Sequence, residues 1–467
     1  MDTLTHSLVG LRLMVLAGVL APLVACGESP PPAGTPAPAS TAAPAPTPQP
    51  GDWPMYGYDP ARTGYSPAEQ TLRADNVDRW VQRWQVNIGT NGTPAGGSPS
   101  VANGRVYVGS SVPTGPNFFA LDAATGAQVW ATNIGYVDQC GGGDQSNVGI
   151  GATPAIAGNI VVAGGGDAAY YGLDATTGAR VWRHPLDVGP SGFAWESPLI
   201  AGSRTYIGVS SGCDNPSVRG EIRALDLASG KLLAAQAFVP EGKAGAGIWN
   251  SPALSPDGNL LALTTGEDYE GYEGPYNRAM VTLDPATLAI GQAHKVGGLG
   301  RDLDWASSPI IYRDGQGRTL AVANHKTGVI YAYDLSKVSA GPVWSRELGK
   351  AVGRPPVFDP SVGTGGTLVV AAGGGQIYAL DPATGQDRWG PLRVNTRHGN
   401  MAVANGMVFV NMGTEGLMVA DERSGAVLRI IIPPQVDITY SGAVVAHGIL
   451  YWLSGSYLNA WSLPATP

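Results

Sequence analysis

One sentence pattern recurs along this chain. Residues 120–130 read "ALDAATGAQVW", 172–182 "GLDATTGARVW" and 379–389 "ALDPATGQDRW". Looser copies stand at 224–234 ("ALDLASGKLLA"), 282–292 ("TLDPATLAIGQ"), 332–344 ("AYDLSKVSAGPVW") and 419–429 ("VADERSGAVLR"). Their aspartates, Asp122, Asp174, Asp226, Asp284, Asp334, Asp381 and Asp421, are spaced 40–58 residues apart. A fixed period of this size marks a repeat architecture. Upstream of the copies lie pairs of short apolar runs around a polar bend, as in "SPSVANGRVYVGSS" and "TPAIAGNIVVAGGG". Asn-Gly or Ala-Gly at the bend suits a hairpin. Each unit therefore reads as strand A, turn, strand B, loop, strand C, the Asp-x-x-Thr-Gly turn, and strand D ending in Trp. The Asp accepts hydrogen bonds from the turn amides, and the Gly supplies a positive φ. Four antiparallel strands per unit predict a propeller blade.

Seven units are complete and an eighth is split. Residues 441–463, "SGAVVAHGILYWLSGSYLNAWSL", supply strands A to C, and then the repeat stops. The spare strand "RWVQRWQVNI" (79–88) carries Trp84 and has no A–C strands ahead of it. It is expected to complete the last blade, so that the ring closes and hides its sheet edges. The fold class is thus all-β, an eight-bladed propeller over residues 52–467, closed by its N-terminal strand. Composition agrees: 67 Gly and 38 Pro among 467 residues, with only 14% charged, favour a turn-rich β protein. A net charge of −8 without a basic stripe excludes a nucleic-acid partner.

The first 25 residues read as a targeting segment. Arg12 precedes the apolar run "LMVLAGVLAPLVAC", which is short for a membrane span and suits a secretory signal. "LVAC" (23–26) resembles the bacterial lipobox, which implies cleavage before Cys26 and lipidation of its thiol. The Pro/Ala/Thr-rich stretch of 26–51 has little to bury and is expected to be a disordered tether. At about 3.1 Å per residue, its residues 27–50 reach roughly 70 Å. The expected location is the cell envelope, extracytoplasmic and held to a membrane only by the lipid. Of the other two cysteines, Cys140 and Cys213, a disulfide is one possible arrangement in an oxidising compartment.

Repeated "LDxxTGxxxW" with "SPxVxxGxVYVG" resembles the pyrroloquinoline-quinone (PQQ) repeat, which implies an eight-bladed propeller. "DWPMYGYDPARTGYSP" (52–67) resembles the leader found before such propellers. The family holds quinoprotein dehydrogenases and also scaffold lipoproteins of outer-membrane assembly that bind no quinone.

Strand topology selects a face for chemistry. D–A connections and B–C loops emerge together, opposite the Asp-x-x-Thr-Gly turns. Asp214, Trp249, Glu267, Asp302, Asp304 and Lys326 all fall in those loops. Clustered carboxylates call for a cation or proton between them, and oxygen ligands suit Ca²⁺. These loops resemble, in order, the site of quinoprotein alcohol dehydrogenases, with the polyvinyl-alcohol-dehydrogenase-like branch nearest. The resemblance assigns Ser211, Gly212 and Cys213 of "SSGCD" to the quinone, Trp249 to stacking on it, and Lys326 to its oxygens. It assigns Asp214, Glu267 and Asp304 to Ca²⁺, and Asp302 or Asp304 to the catalytic base.

The implied function is PQQ- and Ca²⁺-dependent oxidation of a small alcohol or polyol by a monomer. No "CxxCH" haem motif occurs, so electrons are expected to pass to an external carrier such as a cytochrome c. Taken singly, each segment also has a structural reading: a Gly-rich turn at 210–214, blade packing for Trp249, a solvated Lys326. The family's adjacent-cysteine pair is absent, and Glu267 replaces an Asn. Two alternatives follow: a non-catalytic envelope scaffold, or a polymer-binding propeller using Trp195, Trp249, Tyr269, Tyr272, Trp305 and Tyr440.

Overall fold

The computed structural model describes residues 49–89, 97–136, 149–189, 191–212, 217–268, 272–297, 300, 302–349, 361–362, 366–372, 375–394, 401–437 and 441–465. The signal segment, most of the tether, Cys26, Cys140, Cys213 and Asp214 lie outside them. The described chain forms eight sheets, each built on a four-stranded antiparallel blade; in seven the four strands are consecutive, Tyr65–Ser66 adds a short parallel strand to blade 7, and Gly192–Phe193 adds one to blade 3. Blade 1 is Ser100–Ala102, Arg105–Gly109, Phe118–Asp122 and Gln128–Thr132. Blades 2 to 7 span 155–185, 199–237, 253–295, 310–347, 361–393 and 402–431. Blade 8 joins Val444–Ala446, Ile449–Ser454 and Tyr457–Ser462 to the N-terminal strand Val81–Asn87, which pairs antiparallel with the last of them. The ring closes as the split eighth unit implies.

The motif residues form the joints between blades. Asp122 Oδ1 accepts the backbone N–H and the hydroxyl of Thr125 at 2.9 and 2.7 Å, which fixes the turn. Gly126 completes it at φ +72°, a conformation only glycine adopts without strain. The Trp of one blade then docks on the Gly turn of the next. The indole N–H groups of Trp84, Trp130, Trp182, Trp344 and Trp389 donate to the carbonyls of Ala123, Ala175, Leu227, Pro382 and Glu422 at 2.8–3.2 Å. A Cβ on the facing glycines (126, 178, 230, 385 and 425) would fall 2.5–2.8 Å from these rings. The repeat thus conserves geometry across joints as well as within blades.

The inner strands carry a second set of joints. Gly442 N–H donates to Ser98 Oγ, Ser98 N–H to Thr153 Oγ1, and Thr153 N–H to Ser197 Oγ, at 2.7–2.9 Å. Ser197 N–H donates to Ser251 Oγ and Ser251 N–H to Ser308 Oγ, both at 2.8 Å. The hydroxyl at the start of each inner strand therefore accepts from the preceding blade, from blade 8 around to blade 5.

The leader lies inside the ring. Trp53 exchanges two 2.8 Å backbone bonds with Val101, and Pro54 O accepts from Ile156 N–H. Pro60, Ala61 and Gly64 carbonyls accept from Leu254, Ile311 and Val403. The inner edges of blades 1, 2, 4, 5 and 7 thereby satisfy N–H groups that a bare ring would leave without a protein partner. Arg62, fully buried, donates to the carbonyls of Tyr56, Ser197, Pro198 and Pro252. Burial lowers its pKa to about 10, so it stays charged at neutral pH, with Glu196 nearby. Burial pushes the Glu196 carboxyl up to about 7 although Gly208 N–H donates to it at 2.7 Å.

Trp130→Ala removes a buried indole and its hydrogen bond, at an expected cost of about 3–5 kcal/mol. Val129→Ala, on the exposed side of the same strand, is expected to stay within about 0.5 kcal/mol; paired urea melts check both. The Glu196 carboxyl binds its proton more tightly folded (about 7) than at its ordinary 4.5. Its contribution is complete below the lower value and is lost as pH rises through the higher one. The Tm of the wild type, relative to Glu196→Gln, is therefore expected to fall as pH rises across that window.

Candidate active site at the blade 4–5 rim

Two backbone zips build the site. The connection into blade 5 pairs with that blade's own B–C loop: Ala306 N–H donates to Asn324 O at 2.8 Å, and Lys326 N–H to Asp304 O at 3.0 Å. The connection between blades 3 and 4 pairs with the B–C loop of blade 4. There Ala246 N–H donates to Glu267 O, and Gly266 N–H to Gly247 O, at 2.8 and 2.9 Å. A Cβ on Gly266 would lie 3.4 Å from Asp304 Oδ2, so the two zips meet at that carboxylate. Asn250 fastens them further, donating to Thr264 Oγ1 and Trp305 O.

Four of the sequence-selected residues touch one another. Lys326 Nζ stands 2.7 Å from Asp302 Oδ1 and 2.6 Å from Asp304 Oδ1. Asp304 Oδ2 accepts the indole N–H of Trp249 at 3.0 Å. The same ammonium lies 4.7 Å from the centre of the Trp249 ring, within cation–π range. Burial alone would lower the Lys326 pKa. Asp304, with Asp302 behind it, outweighs burial and holds the ammonium above its ordinary range. The two carboxylates differ: the Asp304 side chain is 6% exposed and that of Asp302 is 65% exposed. Asp302 has φ +58°, a strained backbone for a residue with a Cβ.

Glu267 is 3% exposed. Its Oε2 stands 3.7 Å from Nη2 of Arg278, a residue that sequence reasoning did not select. Asp268 Oδ1 stands 2.6 Å from the same nitrogen. Arg278 is 6% exposed and also donates to Gly300 O. Its only sequence signal was a cation at the entry to an apolar strand, behind the acidic loop "GEDYEGYEG". His325, 2% exposed, has its pKa pushed down to about 4 by burial and then by the charges of Lys326 and Arg278. It is neutral at physiological pH.

Ser211 and Gly212 sit in the neighbouring loop. Ser211 Oγ accepts from Val218 N–H, Ser211 O accepts the Trp195 indole N–H, and Gly212 N–H donates to Ser191 O. Trp305 is completely buried in the blade 4–5 core rather than displayed on the rim, and Trp195 and Tyr272 are half-buried. Tyr269 and Tyr440 lie outside the described residues.

Among the described residues no group of three His, Cys, Asp or Glu side chains is arranged to hold a metal ion. Glu267 and Asp304 each face a buried cation, so the described carboxylates do not fit a calcium cage. A half-buried indole, held at its edge by Asp304, stands beside the mostly buried Lys326 ammonium, a pairing whose chemistry suits a flat, anionic aromatic group. Lys326→Met would strand the Asp304 carboxylate, and the expected loss is about 3–5 kcal/mol. Asp302→Asn, at an exposed partner, should cost about 1 kcal/mol or less. Thermal melts of the two variants, side by side, check this asymmetry.

The PQQ-repeat family model described as "Outer membrane protein assembly factor BamB" matches residues 71–267 and 306–431, more than half of the chain. A polyvinylalcohol dehydrogenase of a Pseudomonas species is 24% identical over 371 residues, covering 68% of this chain and 56% of that protein. The chain thus spans little more than half the length of this relative. The crystal structure of the quinohemoprotein alcohol dehydrogenase of Comamonas testosteroni superposes with a TM-score of 0.71 at 17% identity, over 89% of this chain and 81% of that one. BamB of Moraxella catarrhalis superposes with a TM-score of 0.56 at 15% identity, over 83% and 99%. At these identities the structural likeness speaks for the fold. Blade count, joint geometry and the length of the repeat match lead to one assignment: the chain belongs to the PQQ-repeat β-propeller family.

Proposed function

We propose that this protein is an extracytoplasmic quinoprotein dehydrogenase that oxidises an alcohol or polyol with PQQ. The observation that carries the reading is the contact set of Trp249, Asp304, Lys326 and Asp302 at one rim. The naming of relatives as polyvinylalcohol and quinohemoprotein alcohol dehydrogenases supports it.

When bound, PQQ would supply the hydride acceptor, a chemistry no side chain provides. Trp249 would hold the ring plane, its own orientation fixed by Asp304. Lys326, held in place by Asp302 and Asp304, would stabilise negative charge on a reduced oxygen. Asp302 is the better candidate for the base. Its carboxylate is exposed, so an alcohol hydroxyl can reach it, and it keeps one oxygen outside the Lys326 contact. Asp304 has both oxygens engaged and acts as a positioning residue. Ser211, Gly212 and Cys213 would border the cofactor. Lipidation at Cys26, an envelope location and transfer of electrons to an external carrier complete this reading.

A non-catalytic scaffold is the second reading. One observation favours it: Val427, Ile430, Ile432 and Val436 are exposed together along and just beyond the outer strand of blade 7.

Adding PQQ to the purified protein is expected to quench tryptophan fluorescence saturably, and alcohol is then expected to drive reduction of an artificial dye. Trp249→Ala should lose most of the quench. Asp302→Asn should keep the quench and lose about 100-fold or more of the turnover, the usual range for a general base. Folded protein that gives neither signal would leave the scaffold reading standing.

A further inference from the structure

The weak point of a calcium-dependent site is the company its carboxylates keep. Glu267, Asp268 and Asp304 meet Arg278 and Lys326 at 3.7, 2.6 and 2.6 Å. Both cations are well buried, so this is not the loose pairing of a protein surface. Arg278 is also built into place. Its backbone takes φ +54°, its N–H donates to Gly266 O at 2.8 Å, and Val296 N–H donates to its carbonyl at 3.1 Å. A non-glycine residue in the left-handed region is held there by its surroundings.

We propose that Arg278 supplies, as a fixed guanidinium, the positive charge otherwise expected of a divalent ion beside Glu267, so that the site binds its polyanionic quinone without a metal. The proposal rests on the quinone reading above. A guanidinium suits this role because it is always charged, weakly hydrated and tolerant of burial. A divalent cation placed on Glu267 would stand against that charge in a poorly screened setting, where repulsion is strong. Asp304 already meets Trp249 on one oxygen and the Lys326 ammonium on the other, so a divalent ion there would also stand against that ammonium. The neutral imidazole of His325 fits the same picture. Its Nδ1 accepts from Thr327 N–H at 3.3 Å, and it adds no further charge between the two cations.

The test compares PQQ binding to the wild-type protein in excess EDTA and in excess calcium. Tryptophan quenching gives the affinity, and quinone absorbance after gel filtration gives the stoichiometry. The expected affinities agree within about threefold, well under 1.4 kcal/mol. Equilibrium dialysis against radioactive calcium should detect no site that depends on Glu267. Arg278→Gln is expected to weaken PQQ binding in EDTA by about ten- to a hundredfold, the range for a lost charged hydrogen bond. It should also expose Glu267 to calcium, which then restores affinity, while Arg278→Lys keeps the charge and most of the EDTA affinity. Saturable PQQ binding by the wild type only when calcium is present would overturn the metal-free proposal and leave the quinone reading intact. Absence of PQQ binding in both conditions would overturn the quinone reading and this proposal with it. The wild-type comparison decides the matter even if Arg278→Gln does not fold.

Discussion

The hydroxyl-to-amide relay at the hub is the interaction on which the rest of the molecule depends. A propeller blade is a sheet with an inner edge, and eight such edges converge where space is tightest. From blade 8 to blade 5 the first residues of the inner strands hand their N–H groups to a Ser or Thr of the next blade. A hydroxyl both accepts and donates, so one small side chain serves a joint where nothing larger would fit. The relay holds the inner ends of the blades at fixed separation, and the indole-on-glycine docks hold the outer ends. With both radii set, the loops leaving the inner strands have little freedom. That rigidity allows three loops, the connections into blades 4 and 5 and the B–C loop of blade 5, to bring an indole, an ammonium and two carboxylates within hydrogen-bond distance.

Much of this was legible in the sequence, because periodicity reports what every blade must repeat. The Asp-x-x-Thr-Gly turn, the Trp and the split eighth blade all follow from local chemistry. The leader was a different case. "DWPMYGYDPARTGYSP" has no apolar period and no turn signature that would place it, yet Pro54, Pro60 and Ala61 deliver carbonyls to the inner edges of three blades. What decides its path is the set of unsatisfied N–H groups on strands far downstream, at Ile156, Leu254 and Ile311. No local reading of residues 52–67 contains that information. The buried Arg62 belongs with it: its four carbonyl partners come from the leader and from blades 3 and 4.

The site divides in the same way. Topology alone put Trp249, Glu267, Asp302, Asp304 and Lys326 on one face, because D–A connections and B–C loops share it. The pairing within the face was not legible. Lys326 belongs with Asp304 because two backbone bonds zip the connection to the B–C loop in that register. Arg278 is one residue from the strand Ala279–Leu283 and looks in sequence like a charge capping an apolar run. Its left-handed backbone turns it inward, and that turn depends on Gly266 across the loop. A side chain's company in a buried site is set by such tertiary contacts, which a motif does not encode.

The repeat is relaxed at both joints that flank blade 4, on the turn face opposite the loops that carry the site. Blade 3 carries Ala234 at the Trp position, and blade 4 carries Leu288 at the Gly position with φ +60°. The dock between these blades has lost both of its parts together, which is what a joint made of two complementary pieces requires. At the next joint Gln292 replaces the Trp and bonds Ser336 and Ser339, while His294 meets the Tyr333 hydroxyl at 3.1 Å. Each indole dock buries an apolar ring and needs close contact along the whole joint. The turns at which these docks form lie on the face opposite the loops that carry Arg278, His325 and Lys326. Polar side chains with several donors and acceptors hold blades 4 and 5 together there instead. A third joint departs in the same way: blade 7 carries Arg429 at the Trp position, and its guanidinium donates to the carbonyls of Val77 and Trp80 ahead of the closing strand, while indole docks hold the other five joints.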